Sequence, residues 1–203
     1  MLADRLRTIA WHSGTIFRAA VFICERRGIN IEKDENNIVR VVEKIPAYLL
    51  HRIKDLDPQD PEFVRKSAEI EELASEGIAR GAAVISQSKK VRDAVIKRVE
   101  EDSEGFQLIV VEGQGAGHVY HDQLSFFLTA DLENRVSWRS RQTGQSVEDV
   151  RRLLTNREES DKSRVNAPLR KHPNSIEFRT DGYKLAEEAF EALYKIYWKR
   201  RHK

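Results

Sequence analysis

The chain has 203 residues, a length typical of one α/β domain. Its 35 Lys and Arg residues against 33 Asp and Glu residues leave a net charge of +2, which indicates neither a nucleic-acid partner nor an anionic membrane. The single cysteine, Cys24, excludes a disulfide framework, and the apolar runs are too short for a membrane-spanning helix. This composition predicts a cytoplasmic α/β protein.

Four short apolar runs have the length and composition of buried parallel strands. They are 8–11, 106–111, 124–129 and 175–179. Between them, apolar residues recur at the three- and four-residue spacing that is typical of helices. The predicted helices cover roughly 14–27, 62–75, 78–100, 131–142, 146–159 and 182–200. Strands alternating with helices predict a parallel sheet with crossover helices, a doubly wound or related α/β fold.

A turn-rich stretch at 56–61 is the best candidate for an internal boundary. We expect it to set off a helical insertion at about 46–100 from the sheet, and not to divide the chain into two domains.

The first candidate site follows the first predicted strand. Ser13 and Gly14 place a hydroxyl at the start of a helix, and Arg18 lies about one turn into it. An arginine beside a helix N-terminus can bind a phosphate through two hydrogen bonds. The same residues also suit an N-cap serine followed by a surface arginine, so both interpretations stay open.

The second candidate site lies where the strand 106–111 runs into Glu112 and the glycines 113, 115 and 117. Ligands bind beyond the carboxyl ends of parallel strands, and glycine lets the backbone approach a phosphate or sugar closely. The glycine spacing does not fit a dinucleotide-binding fingerprint, and no helical pattern follows. Glu112 suits the orientation of a Mg²⁺-bound water. A tight turn without a ligand is the alternative.

The third candidate site lies in the segment 157–170. Arg157 and Arg164 are seven residues apart, so a helix would place them on one face with Asp161 between them. Two guanidinium groups held by a carboxylate suit the binding of a transferring phosphate. A salt-bridged, exposed helix end is the alternative.

The histidines near Tyr120 and the single cysteine are two further features that we do not interpret as functional sites. His118 and His121 flank Tyr120, but this spacing in a loop without a third ligand predicts no metal site. Cys24 lies in an apolar helical pattern, which indicates a small core residue.

Taken in this order, the three candidate sites resemble those of bacterial cytidylate kinases, which are nucleoside monophosphate kinases of the P-loop class. The most specific piece is 157–169, which resembles the family's lid. The segment 110–113 resembles its third strand and glycine turn, and 127–130 with Arg135 and Arg139 resembles its fourth strand and arginine-bearing helix. The other similar pieces are 2–6, 13–19, 26–29 and 91–94.

The resemblance implies one nucleoside-monophosphate-kinase-like domain over 1–203, with a P-loop-kinase-like parallel sheet flanked by helices. The segment 46–100 would be the helical acceptor-side insertion and 157–169 the lid. The implied reaction transfers a phosphoryl group from ATP, with Mg²⁺, to CMP or dCMP in pyrimidine nucleotide metabolism. The implied protein is a monomer that binds neither nucleic acid nor membrane.

The resemblance also implies roles for individual residues. Ser13 would touch the acceptor ribose, Arg18 the acceptor phosphate, and Arg92 the cytosine edge. Phe17 stands where the family has tyrosine, so the ring is kept and the hydroxyl is lost. The remaining implied contacts are Arg157 and Arg164 to the phosphates, Asp161 to the sugar or the arginines, Glu112, Gly113 and Gln114 to the substrate, and Arg135 and Arg139 to the ATP side.

The chain departs from the family where Gln114 and Gly115 replace an Arg-Asp pair. The replacement removes one cation from the acceptor phosphate and one carboxylate from cytosine recognition. Each lost charge-assisted hydrogen bond weakens nucleotide binding by about tenfold or more. This departure therefore predicts weaker discrimination in favour of cytosine.

A second departure is that the 203 residues contain no Gly-x-x-x-x-Gly-Lys-Ser/Thr motif. Met1 aligns within the family's first helix, so its phosphate loop and its central first strand have no counterpart here. The second and third predicted strands would then pair with each other or leave a gap. Two alternatives follow: an N-terminally truncated kinase, and a non-catalytic nucleotide-binding or regulatory relative that has lost the ATP site.

Overall fold

The structure is a computed structural model that describes residues 1–50, 61–166 and 168–201. The chain divides into two compact units, Arg7–Gly113 and Met1–Leu6 together with Gln114–Lys203. Each unit combines α-helices with a short parallel sheet. Within the described ranges, every helix is too short or too polar to cross a membrane.

The unit Arg7–Gly113 contains a two-stranded parallel sheet in which Ala10 pairs with Val110 and His12 with Glu112. Its elements are β1 (Ala10–His12), α2 (Ser13–Arg26), α3 (Glu35–Glu43), a 3-10 turn (Ala47–Leu49), α4 (Pro61–Glu72), α5 (Glu76–Ile85), α6 (Lys89–Glu101) and β2 (Val110–Glu112). Helix α2 packs against α3, α5 and α6. It is therefore the central helix of this unit.

Small residues let α2 and α5 approach each other closely. A Cβ atom added at Gly81 of α5 would lie 2.6 Å from Cγ1 of Val21, which is fully buried on α2. Cys24 is also fully buried on α2, as the sequence predicts, and burial raises the pKa of its thiol to about 11. The apolar face of α2 therefore supplies much of this core.

The second unit contains another two-stranded parallel sheet, in which Phe126 pairs with Ile176 and Thr129 with Arg179. Its elements are α1 (Leu2–Leu6), α7 (Ala116–Val119), β3 (Phe126–Thr129), α8 (Leu132–Thr143), α9 (Val147–Ser163), β4 (Ile176–Arg179) and α10 (Ala186–Arg201). Helices α8 and α9 pack against each other. The side chains at the end of α9 form one of the candidate sites.

The predicted α/β fold with parallel strands is confirmed. Each of the four predicted strand segments overlaps a strand, although each strand is shorter than the apolar run that predicts it. In the described part of the chain, β2 pairs with β1 and β3 pairs with β4. The second and third predicted strands therefore belong to different sheets.

The prediction of one helix over 78–100 is wrong, because two helices occupy this range. Helix α5 ends at Ile85, and Ser88 caps the start of α6, since its hydroxyl accepts a hydrogen bond from the Val91 backbone N–H at 3.1 Å. Apolar periodicity continues across the break and does not reveal it. The boundary predicted at 56–61 lies, except for its last residue, outside the described residues.

Helix α3 is not among the predicted helices. Asp34 caps it by accepting a hydrogen bond from the Asn37 backbone N–H at 3.2 Å, and Ile38, Val41 and Val42 form its buried face. An acidic N-cap followed by this spacing is the signal that could have predicted it.

Candidate functional site

Ser13 and Gly113 lie together at the carboxyl ends of β1 and β2. A Cβ atom added at Gly113 would lie 2.1 Å from the Ser13 hydroxyl oxygen, so a larger residue at this position would force the Ser13 side chain to move. Ser13 is the first residue of α2, and His12 occupies the N-cap position. The interpretation of Ser13 as an N-cap serine is therefore wrong. Because β1 and β2 are parallel neighbours, Ser13 of the first predicted site and Glu112 and Gly113 of the second lie at one sheet end.

Glu112 lies at the same sheet end and faces His12 across the strand pair. Nδ1 of His12 is 3.2 Å from Oε2 of Glu112, and both side chains are exposed. This carboxylate is accessible at the carboxyl end of a parallel strand, which is a favourable position for contact with a bound ligand.

Arg18 is half-buried and reaches the end of α4. Its Nη1 donates a hydrogen bond to the Leu73 carbonyl oxygen at 3.1 Å. This contact orients the guanidinium group, so the structure does not support the interpretation of Arg18 as a fully exposed surface residue.

Arg92 and Phe17 lie against each other in the same unit. The guanidinium carbon of Arg92 is 5.7 Å from the centre of the Phe17 ring, and its Nε donates a hydrogen bond to the Ser86 carbonyl oxygen at 2.5 Å. Phe17 is buried, so its ring supports the arginine from the core.

Asp161, near the end of α9, is surrounded by the charged residues of the third predicted site. Only 2% of its side chain is exposed, and it forms an ion pair with the Arg164 guanidinium. Arg157 Nε is 3.7 Å from Oδ2 of Asp161. The predicted association of two guanidinium groups with one carboxylate is therefore present. The Asp161 carboxylate is buried and the Arg157 side chain is 68% exposed, so the salt-bridged helix end is exposed only in part.

The seven-residue spacing predicts that Arg164 continues the helix, but in the structure the helix ends before it. It is the C-cap of α9, and its φ and ψ of −59° and 133° turn the chain out of the helix. The backbone then folds back, because the Leu169 N–H donates to the Asp161 carbonyl oxygen at 2.8 Å. Arg164 reaches Asp161 from this loop, with its side chain 13% exposed.

Gln114 completes the cluster around Asp161. Its Nε2 donates to Oδ2 of Asp161 at 2.5 Å, and its Oε1 accepts a hydrogen bond from Nη1 of Arg164 at 3.1 Å. We call Gln114, Arg157, Asp161 and Arg164 the Asp161 cluster. Sequence reasoning identifies Gln114 as a departure from the family pattern but does not predict these partners.

Arg135, on α8, binds a different carboxylate of α9. Its Nη2 donates to Oε2 of Glu158 at 2.5 Å. Lys162 donates to the other oxygen of Glu158 at 2.5 Å. Hydrogen bonds from Lys162 and then Arg135 hold the pKa of Glu158 below its usual value. Sequence reasoning missed Glu158, although its four-residue spacing to Lys162 is a recognisable helical pair. Arg139 contacts Gln142 of its own helix instead, at 3.1 Å.

The family model of cytidylate kinase matches residues 1–197. The chain belongs to the cytidylate kinase family. The cytidylate kinase of Neisseria gonorrhoeae is 27% identical over 188 residues, which are 89% of this chain and 82% of that protein. The cytidylate kinase of Caldanaerobacter subterraneus is 28% identical over 193 residues, 90% of this chain and 82% of that protein.

A longer relative is the bifunctional pantoate ligase/cytidylate kinase of Prochlorococcus marinus, which is 26% identical over 195 residues. The match covers 92% of this chain and 37% of that protein. The resemblance to cytidylate kinases found in the sequence is thus confirmed.

Residues that could contact Mg²⁺ are relevant to this site, because kinases generally use this ion together with ATP. Mg²⁺ needs one or two carboxylates besides nucleotide phosphates and water. The exposed Glu112 at the end of β2 fits that requirement as a single carboxylate. In the described ranges there is no group of three or more His, Cys, Asp and Glu side chains placed to hold a metal ion.

Three histidines, His118, His121 and His172, lie close together outside the predicted sites. The ring centre of His172 is 5.1 Å from that of His118 and 5.8 Å from that of His121. Desolvation, followed by the charges of His118 and His121, lowers the pKa of His172. The sequence singles out His118 and His121 but does not reveal the third ring.

Proposed function

We propose that the chain is a nucleoside monophosphate kinase that transfers a phosphoryl group from ATP to CMP or dCMP. The observation that carries this proposal is the Asp161 cluster, where a buried carboxylate holds two arginines in a member of the cytidylate kinase family. Phosphoryl transfer depends mainly on positioning and on stabilising the charge that spreads over the phosphate oxygens. Arginines fixed by a carboxylate supply that stabilisation with little reorganisation.

In this proposal, Arg157 and Arg164 bind the phosphates in transit. Nε of Arg164 is buried and has no hydrogen-bond partner among the described residues. Arg157 is largely exposed, which leaves most of its guanidinium group accessible. We expect the segment 157–169 to move as a lid when substrates bind, and Asp161 to hold the two arginines together during that movement.

The acceptor nucleotide binds at the carboxyl ends of β1 and β2. Ser13 contacts the ribose and Arg18 the phosphate, and Gly113 lies directly against Ser13. Arg92, supported by the Phe17 ring, contacts the base. We assign 46–100 as the acceptor-side insertion, and in this proposal the whole chain 1–203 acts as one monomeric kinase-like domain.

ATP carries Mg²⁺ into the reaction as part of the substrate complex, and Glu112 is the carboxylate that fits contact with it. Arg135 is held by Glu158 and lies on the ATP side, together with Arg139. The 203 residues hold no phosphate-loop motif, so we assign no further donor-side contacts.

The proposal is tested by measuring ADP formation from ATP and CMP, and by titrating CMP and ATP separately in a calorimeter. We expect turnover of CMP or dCMP, and a loss of about tenfold or more in kcat/KM for Arg164→Met, because a charged hydrogen bond to the transferring phosphate is removed. Arg152→Met is the matched control, since Arg152 is an exposed arginine of α9 that pairs with Asp149 at 2.8 Å. Equal activity of the two variants contradicts the role of Arg164.

A non-catalytic nucleotide-binding relative is the second candidate function. Gln114 favours it, because the amide stands where the family has an arginine and is engaged by Asp161 and Arg164. This candidate predicts that CMP binds without ADP formation. Turnover of CMP excludes it, and binding of neither nucleotide contradicts both candidates.

A further inference from the structure

Both ends of the Gln114 amide are used, and they are used in one orientation. Nε2 faces the Asp161 carboxylate, which can only accept hydrogen bonds, and Oε1 faces the Arg164 guanidinium, which can only donate. Turning the amide by 180° would place acceptor against acceptor and donor against donor. The contacts therefore fix the orientation of the amide.

Arg164 is held by a closed ring of three side chains. Its Nη1 binds Gln114, its Nη2 binds Asp161, and Gln114 in turn binds Asp161. The guanidinium group is planar, so contacts at two of its nitrogens fix both its position and its plane. Glutamine is the side chain that can donate to a carboxylate and accept from a guanidinium group at this length.

An arginine at position 114 could not make the same ring. It would bring another guanidinium group beside Arg164, and it has no acceptor for Nη1 of Arg164. The neutral amide leaves Asp161 with its two arginine partners, Arg157 and Arg164.

We propose that Gln114 is a positioning residue that orients Arg164 through Asp161 for contact with the transferring phosphate. The effect of Gln114 on phosphoryl transfer rests on the proposed kinase function, but the link between the three side chains can be tested without nucleotide. Gln114 acts on the reaction through Arg164 and does not itself contact the reacting atoms.

The first test observes the Arg164 Nε–H signal by ¹⁵N NMR in the free protein, with the signal assigned by its loss in Arg164→Lys. Gln114→Met removes both contacts, and we expect the signal to shift at every pH. Gln123→Met is the matched control, because Gln123 is an exposed glutamine outside the Asp161 cluster, and it should leave the signal unchanged.

Gln114→Glu distinguishes a lost contact from a general loss of structure, because only a lost contact should be restored when the pH is lowered. At neutral pH it places a second carboxylate against Asp161, so that two acceptors face each other with no donor between them. At low pH a proton taken up between the two carboxylates restores a donor toward Asp161, while the other oxygen still accepts from Arg164. We therefore expect the Arg164 signal to return toward its wild-type position as the pH falls.

The second test compares kinetics with ATP and CMP. We expect Gln114→Met to lower kcat about tenfold and to leave the KM for CMP within about twofold. The variant weakens the charge-assisted contact between Arg164 and the phosphate during transfer, and it leaves the contacts that bind CMP in place. An Arg164 signal that is unchanged in Gln114→Met, or that does not recover at low pH in Gln114→Glu, overturns the positioning role. A wild-type chain without turnover instead defeats the proposed kinase function and its consequence for Gln114, while the signal still decides the link to Arg164.

Discussion

Nη2 of Arg98, on α6, donates a hydrogen bond to the carbonyl oxygen of Ile45 at 3.0 Å. The same guanidinium group donates from Nη1 to the carbonyl oxygens of Val42 at 3.2 Å and Glu43 at 3.1 Å. These carbonyls belong to the last turn of α3 and the residues after it, where intrahelical donors run out. Arg98 therefore completes the C-terminus of α3 from a neighbouring helix.

We predict that Arg98→Met lowers the free energy of unfolding by about 2–3 kcal/mol, because carbonyls near the end of α3 lose a charged donor. Arg80→Met is the control, since Arg80 is an exposed arginine that pairs with Glu76 on its own helix. Its loss should cost less than about 0.5 kcal/mol. Urea denaturation followed by circular dichroism measures both values, and equal midpoints for the two variants would show that Arg98 is not a structural donor.

Gly81 predicts a packing limit between α2 and α5. A methyl group at this position would lie 2.6 Å from Cγ1 of Val21, so Gly81→Ala should destabilise the protein by about 1–3 kcal/mol despite the higher helix propensity of alanine. A Cβ atom at Gly77, also on α5, would have no atom within 4 Å. Gly77→Ala should therefore leave stability unchanged or raise it by up to about 1 kcal/mol. Thermal denaturation of the two variants decides the comparison, and a Tm for Gly81→Ala at or above that of Gly77→Ala contradicts the close approach.

Variants at Gly113 should separate an effect on stability from an effect on nucleotide affinity. Gly113→Ala forces the Ser13 side chain to move, and we expect CMP affinity measured by calorimetry to fall about tenfold or more. Adding Ser13→Ala removes the hydroxyl oxygen and should recover part of the stability but not the affinity. Gly182→Ala is the control, because a Cβ atom there has open space. Full recovery of CMP binding in the double variant would mean that Ser13 makes no contact with the nucleotide.

His172 predicts a pH dependence of stability. Desolvation, with the positive charges of His118, His121 and Arg170 outweighing Asp122, lowers the pKa of His172 below its usual 6.5. The unfolded chain therefore binds this proton more readily than the folded protein, and stability falls as the pH drops through about 6.5. His172→Gln should flatten this part of the pH profile. Urea midpoints between pH 5 and pH 8 measure the effect, and an unchanged profile in the variant contradicts it.

The sequence predicts contacts within one element more readily than contacts between elements. Arg157 and Asp161 are one helical turn apart, so their spacing alone places them together. Gln114 is 47 residues from Asp161 and His172 is 51 residues from His121, so local periodicity carries no signal for either contact. The resemblance to cytidylate kinases draws attention to Gln114, but only the fold shows its partners.

Helix boundaries show the same limit on a smaller scale. Helix α3 buries three residues in nine positions among charged and amide side chains, and its short apolar face gives a weak periodic signal. The break at Ser86–Ser88 is set by capping hydrogen bonds, to which apolar spacing is insensitive.

Burial of Cys24 has a practical consequence for observing the lid. The thiolate is the reactive form of cysteine, and a pKa raised to about 11 in a fully buried side chain leaves almost none of it at neutral pH. Because Cys24 is the only cysteine of the chain, a second cysteine introduced at an exposed position of the proposed lid, such as Val165, becomes the single reactive thiol of the folded protein. A fluorophore attached there tests whether this segment moves, on a chain that keeps its native cysteine.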